Sequence, residues 1–132
     1  MVRLTSPPSP EYNCIAWAAG EDDRWWWPVG GYYWPVGAAT TETIDAFVEA
    51  YATLGFALCE GPELEPFWEK IALYVDSRGT PTHAARQLED GQWASKLGSD
   101  VDVEHETPDE VTTLPGCQIY GRTEVFMRRP RL

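Results

Sequence analysis

Basic residues are scarce in this chain: 10 Lys and Arg stand against 21 Asp and Glu, giving a formal net charge of -11. A phosphate backbone or an anionic membrane surface is repelled at long range by such a charge, so nucleic acid is not expected as a partner. Cysteine is also scarce. Cys14, Cys59 and Cys117 are odd in number and widely spaced, which argues against the disulfide framework of a small secreted domain and fits a reducing compartment. The five residues that could be gathered as metal ligands, those three with His83 and His105, lack the short spacing of structural zinc sites, so no metal is expected. No apolar run approaches bilayer length, and the first eight residues show neither an apolar core nor a small-residue cleavage site. The expectation is a cytoplasmic protein without membrane partners, although a protein exported by a dedicated machine would share this composition. Phosphate-cradling glycine loops and a Gly-x-Ser-x-Gly elbow are missing too, which disfavours nucleotide-dependent transfer and serine hydrolysis and implies no cofactor.

Aromatic residues, in contrast, are plentiful: 7 Trp occur in 132 residues. The length fits one domain able to bury a core without staples. Residues 1–10 are read as a Pro-rich lead-in, Ser6-Pro7-Pro8-Ser9-Pro10 being extended or polyproline-like, and residues 11–132 as a single domain. Tyr12-Asn13-Cys14 opens a short apolar helix capped by Asn13 and stopped by Gly20. A proline- and glycine-interrupted aromatic loop follows, from Trp25-Trp26-Trp27-Pro28 to Trp34-Pro35-Val36-Gly37. Ile44, Phe47, Val48, Tyr51 and Leu54 fall on one face at helical spacing, predicting a helix that begins at Thr40-Thr41-Glu42 and ends at Gly55.

Beyond that helix the pattern changes to strands. Phe56–Cys59, Ile71–Val75, Thr82–Leu88, Gln92–Leu97 and Cys117–Arg128, the last with a break at Gly121, are predicted strands. Glu89-Asp90-Gly91 reads as a hairpin turn, and pairing Leu88 with Gln92 sets His83 opposite Leu97 and diagonal to Ser95. Thr107-Pro108-Asp109-Glu110 carries a capping-box pattern for one helical turn. Helices first and strands afterwards predict an α+β domain, with N-terminal helices packed on a mostly antiparallel sheet.

Cys14 is the first candidate for chemistry. At a helix start, orphan N–H groups and the dipole favour a thiolate, although a free cysteine is also a common buried hydrophobe. A nucleophilic thiol needs a base, and His83, followed by the small Ala84 and Ala85, is the candidate; a lone strand histidine also serves as a structural hydrogen-bonding group. A third group should orient the imidazole. Ser95, Lys96 and Gln87 lie near it, and Asp102 or Asp100 is preferred on charge. His105, flanked by Glu104 and Glu106, is the alternative base or a solvated loop residue. Trp25, Trp26, Trp27 and Trp34, with Trp93, are candidates for a substrate-stacking wall or for a buried mini-core.

Two resemblances attach to these residues. The segments Asn13-Cys14-Ile15-Ala16-Trp17-Ala18, Trp25-Trp26-Trp27-Pro28, Thr82-His83-Ala84-Ala85-Arg86-Gln87 and Ser95-Lys96-Leu97-Gly98 resemble an uncharacterised bacterial family of small proteins, a domain of unknown function. A cysteine heading a helix ahead of a sheet that carries a histidine is similar to the NlpC-like branch of the papain superfamily. That resemblance implies a papain-like arrangement in which Tyr12 helps to bind the oxyanion. The departure is in the base: those enzymes carry it on the strand with a His-Val-Gly-Ile-Tyr type pattern, where this chain has Lys70-Ile71-Ala72-Leu73-Tyr74, and the histidine falls on the strand after it.

Two function classes follow. In the first the protein is a papain-like cysteine hydrolase or acyltransferase acting on an amide or ester bond of a peptide-like or small-molecule substrate, such as a peptidoglycan fragment. In the second it is a non-catalytic binding module, immunity-type or regulatory, that docks a protein partner through its indoles and acidic surface. The sequence leaves the oligomeric state open.

Overall fold

The computed structural model describes residues 3–6, 11–97 and 102–131. Residues 7–10 of the lead-in, and Asp100 among the candidate acceptors, lie outside them. The described residues form a small α+β fold, one antiparallel sheet with short helices. Its strands are β1 (Arg3–Ser6), β2 (Ala57–Cys59), β3 (Trp68–Val75), β4 (Pro81–Gln87), β5 (Trp93–Lys96), β6 (Asp102–His105) and β7 (Arg122–Pro130), in spatial order β1-β6-β5-β4-β3-β7-β2. Within the segment read as a lead-in, Arg3–Ser6 pairs antiparallel with β6 and extends the sheet.

The helices are α1 (Cys14–Ala18) and α2 (Ile44–Ala52). Asn13 caps α1 by accepting from Ala16 N–H, and the same oxygen accepts from Trp26 N–H while the Asn13 amide donates to Trp26 C=O. One side chain thus fixes both the helix start and the aromatic loop. The second helix begins at Ile44 rather than at Thr40, because the Thr43 hydroxyl takes Ala46 N–H and its backbone is extended. Both helices cover one face of the sheet, where Ile15, Ala16, Trp26, Phe47 and Tyr51 meet Ile71, Leu73, Ala84 and Met127.

The opposite face carries a smaller core of Ala72, Tyr74, Ala85, Trp93, Val103 and Val111. A 3-10 helix at Pro108–Thr113 serves this face, and Tyr74 Oη donates to Pro108 C=O at 2.5 Å. The capping box expected there is not formed. Thr107 makes no side-chain cap, whereas Glu110 reaches back to Glu106 N–H at 2.7 Å. The last strand starts later than its apolar run suggests. Gln118–Tyr120 is a 3-10 turn, and β7 begins only after Gly121, whose φ is +80° and where an added Cβ would lie 2.0 Å from Val75 C=O. Among the described residues no helix is long and apolar enough to cross a membrane.

Candidate functional site

The pairing of β4 with β5 creates the place where α1 begins. The two strands pair at Arg86↔Ala94 and Gln87↔Trp93, as the Glu89-Asp90-Gly91 turn predicts, with Leu88 N–H on Gln92 C=O. Toward the start of β4, helix α1 packs against both strands. Ala84, two residues from Arg86, turns its N–H to the same side as Arg86 does, and there it meets the Cys14 sulfur. Cys14 is 7% exposed.

That burial decides the state of the thiol. The N–H groups of Ala84, Ile15 and Cys14 and the charge of Lys96 all favour a thiolate, yet desolvation outweighs them and pushes the thiol up to about 11. Burial of the sulfur outweighs the about 0.3–1 kcal/mol that a helix dipole supplies. The thiolate expected from the helix position is therefore not the resting form. Cys14 is a neutral thiol near neutral pH.

His83 is the next residue along β4 from Ala84, so its side chain turns to the other face. There it joins Tyr74 edge to face, ring centres 5.0 Å apart, and stacks on Tyr120 at 4.1 Å. His83 Nε2 lies 2.9 Å from Ser95 Oγ, Ser95 Oγ lies 2.8 Å from His105 Nε2, and His105 Nδ1 lies 2.7 Å from Thr107 C=O. Burial depresses both imidazoles, His83 down to about 3, so both rings are neutral at pH 7.

With neutral rings the direction of every proton in this chain follows. A carbonyl only accepts, so His105 carries its proton on Nδ1 and presents an Nε2 lone pair. Ser95 then donates to His105 and accepts from His83 Nε2–H. His83 Nδ1 is consequently left with a lone pair, and that buried atom has no hydrogen-bond partner, Cys14 included. The two histidines are fixed in opposite tautomers.

The remaining sequence candidates are distributed as follows. Tyr12 is buried, stacks on Trp17, carries Lys96 Nζ 5.1 Å from its ring centre and donates its hydroxyl to Asp102 Oδ2 at 3.1 Å. Asp102 therefore holds Tyr12 rather than His83, and Ser95 is the group on the imidazole. Trp26 is fully buried, stacked on Tyr51 and donating to Glu21; Trp34 packs on Phe47 and donates to Ala39 C=O; Trp93 is in the core of the opposite face. Three of the five candidate indoles are thus structural.

Trp25 and Trp27 are different. Together with Tyr32, Thr82, Tyr120 and Asn13 they line a cleft of about 330 Å³ against Cys14. Trp25 stacks on Tyr32 at 5.9 Å, Trp27 meets Phe47 edge-on at 5.3 Å and donates to Glu42, and Thr82 Oγ1 holds Tyr120 C=O at 2.5 Å. Tyr120 thereby joins the cleft wall to the His83 ring. Sequence reasoning missed this residue because it placed Tyr120 inside a strand; the positive φ at Gly121 is the signal that separates it from one.

A family model described as a domain of unknown function (DUF7689) matches residues 3–128. No curated protein and no solved structure matches the chain.

Proposed function

The chain belongs to the DUF7689 family, and from the residues gathered around Cys14 we propose that it is a papain-like cysteine hydrolase or acyltransferase acting on an amide or ester bond. Cys14 is the nucleophile and His83 the base. The observation that carries this reading is the cleft in front of Cys14, walled by Trp25, Trp27, Tyr32 and Tyr120, with Tyr120 stacked on the His83 ring whose buried Nδ1 is unpartnered.

Because Cys14 rests as a thiol and His83 as a neutral imidazole, the pair works by general-base catalysis and not as a preformed ion pair. On this reading the thiol proton passes to His83 Nδ1, which is not hydrogen-bonded to Cys14 at rest, only once substrate has brought the two groups together, and the imidazolium so formed is held through Ser95 and His105. The same proton then goes to the leaving group. Tyr12, whose hydroxyl is given to Asp102, stands outside the cleft, so the oxyanion falls to the backbone N–H at the start of α1. Cys14→Ala is expected to remove turnover of a reactive ester, and His83→Gln to lower it at least 100-fold; wild-type rates in Cys14→Ala would defeat the proposal.

The binding-module reading draws on one observation, that the Cys14 thiol is neutral and unbonded to His83. Its discriminating result is a native Cys14 that no acyl donor or alkylating agent reaches until the protein is unfolded.

A further inference from the structure

The walls of the Cys14 cleft specify more than a reaction class. Trp25, Trp27, Tyr32 and Tyr120 present aromatic surface, Asn13 and Thr82 are its uncharged polar members, and among the described residues no charged side chain lines it. The Asn13 amide is committed to Trp26, and Thr82 to Tyr120, which leaves few groups to solvate a polar ligand. Outside the walls stands Glu42, held at the Trp27 indole, in a chain of net charge -11. A carboxylate or phosphate entering here would lose its water without gaining a cation. At about 30 Å³ for each water-sized group, 330 Å³ takes about eleven such groups.

We infer that the acyl half of the substrate is an uncharged, apolar chain of medium length, transferred to Cys14 as a thioester. This inference rests on the hydrolase reading of the same site. In the step, the Cys14 sulfur bonds to the carbonyl carbon of an ester R–CO–O–R′, the carbon–oxygen bond to the alcohol breaks, and the thiol proton moves through His83 to the leaving oxygen. The products are the Cys14 thioester and R′OH. Water then adds to the thioester, releasing R–COOH and restoring the thiol. Acidic muropeptides fit this cleft poorly.

The test compares p-nitrophenyl acetate, p-nitrophenyl octanoate and mono-p-nitrophenyl glutarate as acyl donors to the full chain, with Cys14 acylation followed by intact mass and rates normalised to a free thiol. The octanoate is expected to acylate Cys14 at least tenfold faster than either of the others. Tyr32→Ser and Trp25→Leu should lower the octanoate-to-acetate ratio at least threefold while the melting temperature stays within a few degrees of wild type. A ratio at or below one, a glutarate rate equal to the octanoate rate, or a ratio unmoved by both variants overturns the inference. If no ester acylates Cys14, the hydrolase reading fails, and titration with 1-octanol decides the cleft alone. Shifts at the Trp25 and Trp27 indole N–H signals uphold the apolar cleft; their absence overturns it.

Discussion

Replacing Ser95 with alanine removes the one hydroxyl through which two buried imidazoles are joined. His83 is 1% exposed and His105 is fully buried, so neither can take water in exchange. The variant leaves His83 Nε2–H without an acceptor and His105 Nε2 without a donor. Each buried orphan costs about 1–3 kcal/mol, and deleting one oxygen adds little cavity, so the loss is about 3 kcal/mol. In a chain of this size that lowers the melting temperature by roughly 10 °C. The second half of the argument is coupling. His105→Leu breaks the same chain from its other end, so the double variant should cost less than the sum of the singles by about 1–2 kcal/mol in urea melts. Catalysis should respond as well: with Ser95 gone nothing fixes the His83 tautomer, and kcat should fall while KM for an ester stays nearly constant. A melting temperature lowered by less than about 3 °C, or additivity within about 0.5 kcal/mol, would refute the hydrogen-bond order derived above.

Other expectations follow from the same framework. Both imidazoles are depressed in the fold, His83 down to about 3, whereas in the unfolded chain they take up protons near about 6.5. Stability is therefore full above the unfolded value and declines as pH falls through 6 toward 3, His83 alone removing about 2 kcal/mol by pH 5; urea melts at pH 7.5, 6 and 5 should show the decline, and a flat profile would contradict it. Gly121→Ala sets a Cβ against Val75 C=O at a backbone position with φ of +80°; a loss of about 3 kcal/mol or more is expected in thermal melts, along with displacement of Tyr120 and weaker ester binding. Asn13→Ala removes the cap of α1 and both Trp26 backbone bonds, about 2–4 kcal/mol together. Near-ultraviolet circular dichroism should report the loosened indoles.

The histidine site was partly legible in the sequence. The Glu89-Asp90-Gly91 turn sets the register that makes His83 and Ser95 diagonal neighbours, since cross-strand geometry follows directly from a tight turn. The place of His105 was not legible, because the polar stretch Asp102–His105 reads as a loop and not as a strand; only the observed pairing of Trp93 with His105 brings that ring to Ser95. Asp102 was favoured on charge, yet it accepts from Tyr12, and charge alone says nothing about which face of a strand a carboxylate occupies. The helix start at Cys14 was correctly read from Asn13. Its chemical consequence was misjudged, because desolvation depends on what the rest of the fold lays over the sulfur, and no local pattern records that. The five candidate indoles show the same limit: composition announces that indoles matter, while only packing separates Trp25 and Trp27 in the cleft from Trp26, Trp34 and Trp93 in the cores.

The central claim is that a directed hydrogen-bond chain leaves His83 Nδ1 as a free base. Long-range proton–nitrogen NMR of the two histidines measures this directly, with His105→Asn providing the assignment. The expected spectrum at pH 7 shows two neutral rings in opposite tautomers, His83 protonated on Nε2 and His105 on Nδ1, with His83 unchanged down to pH 5. A proton on His83 Nδ1, a ring averaging between tautomers, or a His83 imidazolium signal at pH 6 would contradict it.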